Sequence, residues 1–101
     1  MTINSNVSSI TAHQGLLNAS ANNIANSNTK GFERTQTTIE QSDNQNVKAT
    51  FEKIENNNLY SNTDLTKEIT DQIVSYHAVG ANAVAIKTQN SVADTLLDIY
   101  A

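Results

Sequence analysis

The sequence contains no cysteine, no proline and no tryptophan, and only 5% of its residues are aromatic. Without cysteine, this chain of 101 residues can form neither disulfides nor Cys-ligated zinc sites. The absence of proline suits long, uninterrupted helices. Because 38% of the residues are hydrophobic, the chain has material for one domain at most and little for a sealed core.

Positive charge and long apolar runs are also scarce. Six Lys and Arg against ten Asp and Glu give a net charge of -4, and because nucleic-acid affinity depends on clustered cations, we expect no nucleic-acid partner. No run of about twenty apolar residues is present, so we expect no membrane span. Residues 1–10 lack the basic start and apolar block of a secretory signal peptide, which implies another route if the protein is exported.

The last third of the chain carries a seven-residue repeat. Alternate steps of four and three from Leu65 to Tyr100 select positions that are mostly apolar or aromatic, a pattern that strand alternation cannot produce. The repeat predicts one long helix with a narrow apolar seam, typical of a helix that packs against another helix. The interacting seam residues are predicted to be Leu65, Ile69, Tyr76, Val79, Ala83, Ile86, Leu97 and Tyr100.

A second repeat of the same kind opens the chain, and the two together predict an antiparallel pair of helices. Polar residues interrupt the seams at Gln14, Gln72 and Asn90, where they either face solvent or fix the register as buried amides do in coiled coils. The seam residues of this first helix are Ile3, Val7, Ile10 and Leu17. Beside them lies a stripe of small residues, predicted to let another backbone approach closely, which contains Ala12, Gly15 and Ala19.

Between the repeats, the sequence predicts a helix stop, a short β-hairpin or irregular segment, and a linker. Asn and Ser replace helix formers over residues 21–32, and Gly31 can adopt the left-handed conformation that ends a helix. Alternation in Gln36–Gln41 and Val47–Phe51, around a turn cluster at residues 42–46, favours a hairpin. Either Thr63 or Asp64 is expected to cap the second helix.

The predicted fold is therefore mainly α. Two long terminal helices form an antiparallel coiled-coil hairpin, and a short middle segment connects them. Residues 1–32 hold the first helix and its turn, residues 33–63 the middle segment, and residues 64–101 the second helix, all within one domain.

No pattern typical of catalysis or cofactor binding is found. Asp64, Glu68 and Asp71 share one face of the predicted helix, and without a second element converging on them a solvated acidic face is favoured over a cation site. His13 and His77 each lie beside a seam position and are expected to flank a helix contact. The three glycines are far apart, which excludes a glycine-rich phosphate loop. We expect no enzyme activity, no cofactor and no metal.

The turn after the first helix resembles a known signature. Residues 21–34 read ANNIANSNTKGFER, which is similar to the N-terminal signature of the bacterial flagellar axial proteins, the rod, hook and hook-associated family. That signature reads ANNIAN, any residue, NT, any residue, G, then Phe or Tyr. The matching residues, predicted as an interaction site, are Asn22, Asn23, Ile24, Asn26, Asn28, Thr29, Gly31 and Phe32.

The resemblance extends to both helices. Residues 16–20 resemble the family's preceding helix, and the second half of the chain resembles its C-terminal signature at residues 64–65, 73–82, 86–88 and 96–99. The chain departs from that signature at three positions, where the family usually has Arg, often an aromatic residue, and frequently Glu or Gln. These positions are His77, Val79 and Gly80.

The resemblance implies a structural subunit, closest to the small proximal rod proteins of the flagellar basal body. The terminal helices would form the inner coiled-coil layer of a helical tube that transmits torque, and the signature turn would be a joint where subunits meet. Implied partners are copies of the chain, other rod and basal-body subunits and the flagellar type III export apparatus. The implied location is the periplasmic rod, reached without cleavage. The alternative is an accessory adaptor or export-related helical binding module.

Overall fold

The computed structural model describes residues 3–42 and 46–100, with Tyr100 described by its backbone only. In chain order, the elements are α1 (Ile3–Ala25), β1 (Thr35–Gln41), β2 (Val47–Lys53) and α2 (Leu65–Tyr100). The structure is thus mainly helical, with one small antiparallel sheet of two strands. The two predicted helices are present, and of the two alternatives for the middle segment the structure has the β-hairpin. The molecule is elongated, at 67 × 24 × 14 Å.

α1 continues through the first part of the signature and ends at Ala25. The backbone N–H of Asn26 bonds to the carbonyl of Asn22 (3.1 Å), and that of Ser27 bonds to Ile24 (3.1 Å), a shorter reach that tightens the final turn. Gly31 has a φ of 69°, the left-handed conformation predicted for it. The Asn-rich stretch therefore ends the helix as expected.

α2 begins at a well-formed cap. The Asp64 carboxylate accepts a hydrogen bond from the backbone N–H of Lys67 (3.3 Å), and the Asp64 carbonyl accepts one from Glu68 (2.9 Å). Of the two predicted caps, the helix uses Asp64. The hydroxyl of Thr63 instead donates to the carbonyl of Asn23 (2.9 Å), which ties the start of α2 to the end of α1.

The β-hairpin lies along α1. The strands pair Thr37 with Phe51 and Ile39 with Ala49, so these side chains share one face of the sheet. Val47 and Ala49 form one side of a groove whose other side is α1. The Val47 N–H donates to the Ser8 hydroxyl (2.9 Å). The opposite face is polar and mostly exposed. The centre of the predicted turn cluster, residues 43–45, lies outside the described residues.

Side-chain hydrogen bonds cross the contact between the two helices. Hydrogen bonds join the Ser20 hydroxyl to the Glu68 carbonyl (3.1 Å), the Asn82 amide to the Ser9 hydroxyl (3.0 Å) and the Asn6 amide to the Gln89 side chain (3.2 Å). Residues early in α1 thus lie beside residues late in α2, and residues late in α1 lie beside the start of α2. Among the described residues, Ala12 is the one buried hydrophobic side chain; the other buried residues are Ser5, Asn6, Ser9, Ser20, Asn23, Glu68 and Ser75.

The expectation that the two apolar seams face each other needs correction. The contact line on α2 steps by seven through Glu68, Ser75, Asn82 and Gln89, on a neighbouring face. Its side chains are polar, and those of Glu68, Asn82 and Gln89 hydrogen-bond to α1. The half-buried seam residues are Ile10, Leu17, Val79 and Ile86, and the exposed ones are Ile3, Val7, Leu65, Ile69, Tyr76, Ala83 and Leu97. The side chain of Tyr100 lies outside the described residues.

The polar interruptions of the seams differ in their surroundings. Gln14 and Asn90 are exposed, so neither acts as a buried register amide within the chain, whereas Gln72 is half-buried. The amides that do join the helices, Asn6 and Asn82, lie outside the predicted seams.

The stripe of small residues is covered by the chain's own hairpin. Ala12 is buried, and Gly15 and Ala19 are half-buried. A Cβ atom on Gly15 would lie 2.9 Å from the ring of Phe51, so β2 approaches closely because position 15 has no side chain. The space beside Gly15 is thus occupied by a side-chain ring of β2, and the close approach of another backbone to the stripe stays a prediction.

Candidate assembly interface

One buried amide connects α1, β1 and α2 at the end where α1 stops and α2 starts. The Asn23 side chain is 0% exposed. Its amide nitrogen donates to the Thr35 carbonyl (2.8 Å) and to the Glu68 carboxylate (3.0 Å), and its amide oxygen accepts from the Thr35 N–H (2.9 Å). Its backbone carbonyl accepts from Thr63. We call this cluster, Ser20, Asn23, Thr35, Thr63 and Glu68, the joint cluster.

The chemistry of the joint cluster requires a side-chain amide. The Asn23 amide presents a donor and an acceptor side by side to the Thr35 backbone, as the backbone of a neighbouring strand would. It thus takes the place of a strand partner at the first residue on the free edge of β1. An aspartate at this position could not donate to the Thr35 carbonyl. The same short side chain therefore fixes where the sheet begins relative to α1.

Glu68 is the charged member of the joint cluster, and its side chain is only 3% exposed. The prediction of a solvated acidic face is wrong for this residue, because the Asn23 amide and the packing of α1 enclose its carboxylate. Asp64 is exposed and caps the helix, while Asp71 forms a salt bridge with Lys67 (2.8 Å). Nothing in the sequence around Glu68 indicates its burial, since its partner lies 45 residues away.

The linker before α2 is folded against the signature turn. Asn62 accepts a hydrogen bond from the Arg34 N–H (2.7 Å) and donates to the Ile54 carbonyl (3.1 Å). Asn56 donates to the carbonyls of Phe32 (3.0 Å) and Tyr60 (2.6 Å). The sequence predicts only a linker here and singles out neither residue, although amides that can replace backbone partners are typical of such loops.

The remaining signature residues organise the same turn. Asn22 and Asn26 bond to each other through their side chains (3.1 Å), and the Thr29 hydroxyl donates to Asn26 (3.0 Å). Ile24 and Phe32 are half-buried, while Asn28 and Gly31 are exposed. Within one chain, these residues bring its own segments together. That the turn is also where subunits meet stays a prediction.

Large apolar side chains cover the outside of α2. The predicted seam residues Leu65, Ile69 and Tyr76 are exposed, as is Leu97 at 67%. Sequence reasoning missed further members of this surface, which lie between or beside the seam positions: Ile73, Val74, Val84, Val92, Leu96 and Ile99. Exposed apolar side chains that adjoin one another are a candidate interaction site. It is the strongest candidate for function in the described part of the chain.

The histidines and carboxylates do not converge. The His13 ring nitrogen lies 2.8 Å from the Ser9 carbonyl on the same helix, and His77 lies edge-on to Tyr76, with 5.7 Å between ring centres. Within residues 3–42 and 46–100, no group of three His, Asp or Glu side chains is placed to hold a metal ion. Over the same residues, neither helix has the length and apolar character needed to cross a membrane.

The chain matches no protein-family model, and no curated protein matches it significantly. The contacts just described and the similarity of residues 21–34 to the axial signature are therefore the observations that bear on function.

Proposed function

We propose that this chain is a structural subunit of the bacterial flagellar basal-body rod that polymerises through its two helices. The observation that carries the proposal is the placement of apolar side chains. The buried residues of α1 and α2 are serines, asparagines, one glutamate and one alanine, while the large leucine, isoleucine, valine and tyrosine side chains are exposed or half-buried. Such a subunit gains stability when neighbours cover it, because each buried large apolar side chain contributes roughly 1.5–3 kcal/mol.

Within the polymer, the two helices act as an antiparallel coiled-coil hairpin. The hydrogen bonds that join Ser20 to Glu68, Ser9 to Asn82 and Asn6 to Gln89 support opposite helix directions. The seven-residue steps of the contact line on α2 support coiled-coil geometry. The exposed apolar seams then lie on the faces that adjoining subunits would cover.

The signature turn acts as the joint of the subunit. Because Asn23 links α1, β1 and Glu68 of α2, it sets how the hairpin sits on the helices. A fixed joint suits a mechanical element that transmits torque through packed helices. The partners are copies of the chain, other rod and basal-body subunits and the flagellar type III export apparatus, and the location is the periplasmic rod.

The proposal is tested by replacing two exposed residues at the end of α2. Leu97→Asp with Ile99→Asp should abolish rod completion and motility, because two charges would be buried against a neighbouring subunit. The purified variant should keep the circular dichroism of the original chain, since both side chains are exposed in the single subunit. Swimming and intact basal bodies in electron micrographs are the readouts.

The matched control adds the same two charges at exposed polar positions outside the seams, as Asn18→Asp with Thr38→Asp. This control should swim normally. Unimpaired motility of the Leu97→Asp, Ile99→Asp variant would contradict the proposal. Sedimentation separates the proposal from the accessory adaptor or export-related module: a subunit forms larger polymers as its concentration rises, whereas an adaptor forms a defined complex with one different partner.

A further inference from the structure

A pair of exposed apolar residues, Leu59 and Tyr60, stands out from the loop at the joint end. The Leu59 carbonyl accepts a hydrogen bond from the Gly31 N–H (2.7 Å), and the Tyr60 carbonyl accepts one from the Asn56 amide (2.6 Å). The backbone is thus held in place while the side chains stay 63% and 71% exposed. Little entropy remains to be lost when such a pre-organised pair is covered, and tyrosine is frequent among residues that dominate binding energy.

A groove that suits such a pair lies at the opposite end of the molecule. α2 continues from Gln89, which meets Asn6 near the start of α1, to Tyr100, a further ~16 Å at 1.5 Å per residue. Every residue from Asn90 to Ile99 is exposed. Val92, Leu96 and Ile99 follow each other by four and three on one face, and the groove beside them is lined by Lys87, Thr88, Ser91, Val92, Thr95 and Leu96.

These two features cannot meet within one chain. Between Leu65 and Leu96, α2 alone separates them by about 47 Å at 1.5 Å per residue. They can meet between copies, and a contact between two different surfaces of the same chain repeats without closing unless the rotation closes a ring. The occupant of the groove is therefore taken to be a second copy of the chain, because the chain carries both the groove and the apolar pair that fits it.

The charges at the two ends favour the same pairing. Lys30 is exposed and directly precedes Gly31, which bonds to Leu59. After Lys87, the only ionisable side chains of α2 apart from Tyr100 are Asp94 and Asp98. Of the acids near the joint end, Glu33 accepts a hydrogen bond from the Asn56 N–H (3.2 Å). A cation beside the Leu59–Tyr60 pair would thus approach an acidic helix end.

We propose that Leu59 and Tyr60 of one copy dock in the groove beside Val92 and Leu96 of the next copy, giving a head-to-tail contact. This contact rests on the proposed polymeric function and specifies which surfaces join. It also assigns the folded linker a role in assembly, which the contact between the helices does not explain.

Charge exchange tests the orientation of the contact. Lys30→Glu should raise the concentration needed for half-maximal polymer formation about two- to fivefold, and adding Asp98→Lys should restore it, as expected for an exposed ion pair. Lys53→Glu, which makes the same charge change on the hairpin, should leave that concentration unchanged. An equal effect of Lys30→Glu and Lys53→Glu would overturn the contact.

Cysteine pairing tests the contact directly, because the natural chain has no cysteine. Asn58→Cys with Thr95→Cys leaves the apolar side chains of both surfaces intact, and oxidation of assembled protein should give a ladder of cross-linked species on a non-reducing gel. Each single variant should stay monomeric on that gel, since a disulfide needs Cα atoms within about 7 Å. A polymer without a ladder, or dimers from Thr95→Cys alone, would overturn this contact and leave the rod assignment standing. If the unmodified chain sediments only as a monomer at every concentration, both fail.

Discussion

The two ends of this elongated molecule are built on opposite principles. At the joint end, Asn23 has a partner for its amide nitrogen, its amide oxygen and its carbonyl, and Glu68 is enclosed beside it. At the far end of α2, every residue from Asn90 to Ile99 is exposed, and several of these are large and apolar. Directional hydrogen bonds fix the shape of the single chain, whereas its exposed apolar area is left for contacts with other molecules.

This division has an energetic reason. A hydrogen bond contributes only about 1 kcal/mol net to stability, but leaving a buried partner without it costs about 1–3 kcal/mol, so polar contacts strongly favour one arrangement over its neighbours. Apolar contacts depend mainly on buried area and tolerate small shifts. A polar contact between α1 and α2 therefore sets their register, while the apolar outside of α2 can supply affinity to an assembly.

The largest expected effect comes from removing the amide of the joint cluster. Asn23→Ala leaves the Thr35 N–H, the Thr35 carbonyl and the Glu68 carboxylate each without this partner. We expect a loss of about 3 kcal/mol in the free energy of unfolding, measured by urea denaturation followed by circular dichroism. Asn23→Asp should be at least as damaging, because it places a second carboxylate beside Glu68 and removes the donor to the Thr35 carbonyl.

Asn18→Ala is the control for the joint cluster, since Asn18 is an exposed asparagine of the same helix. It should change the free energy of unfolding by no more than about 0.5 kcal/mol. If Asn23→Ala and Asn18→Ala lowered the free energy of unfolding equally little, the hydrogen bonds of the joint cluster would not hold the joint end in one arrangement. The contrast between the joint end and the far end of α2 would then disappear.

A second prediction concerns the contact between Gly15 and Phe51. A leucine at position 15 would force the Phe51 ring, 2.9 Å from the position of a Cβ atom, away from α1. We expect Gly15→Leu to destabilise the fold by about 1–3 kcal/mol, as overpacking does, and to displace the hairpin while both helices persist. Amide hydrogen exchange of β1 and β2 relative to α2 is the measurement.

Two comparisons test whether the effect of Gly15→Leu is local. Phe51→Ala in the same chain should recover part of the loss, because the obstructing ring is gone. Gly80→Leu should be neutral or stabilising, because nothing other than the adjoining backbone of α2 and the two chain neighbours lies within 4 Å of a Cβ atom there, and glycine lowers helix stability by about 1 kcal/mol. Equal destabilisation by the two leucines would show that the hairpin does not depend on this contact.

The elements of this fold could be predicted from the sequence because their signals are local. The repeat from Leu65 and the cap at Asp64 give the bounds of α2, and alternation around Val47, Ala49 and Phe51 gives the second strand. Which face of each helix is buried could not be predicted in the same way. Periodicity reasoning assumes that apolar residues face inward, and here Ile69 and Tyr76 face outward.

The joint cluster was only partly accessible from the sequence. The signature turn pointed to Asn23 by resemblance, but its partners Thr35 and Glu68 are 12 and 45 residues away, and their approach depends on the folded chain. The linker asparagines posed a different difficulty. Their side chains can bond to backbone groups in a flexible turn or in an ordered loop, so Asn56 and Asn62 carry the same signal in both cases.

The smallest predicted effects come from two serines in the contact between the helices and differ in sign. The Ser20 hydroxyl donates to the Glu68 carbonyl, whereas the buried Ser75 hydroxyl has no hydrogen-bond partner among the described residues. Ser20→Ala should lower the free energy of unfolding by about 0.5–1 kcal/mol, and Ser75→Ala should raise it by about 1 kcal/mol because an unpaired hydroxyl leaves the interior. Both are measured by urea denaturation under the same conditions. A loss of stability in Ser75→Ala as large as that in Ser20→Ala would mean that hydrogen bonding does not distinguish these two positions. The contact would then depend on the size of its side chains, and the register of α1 on α2 would follow from close packing.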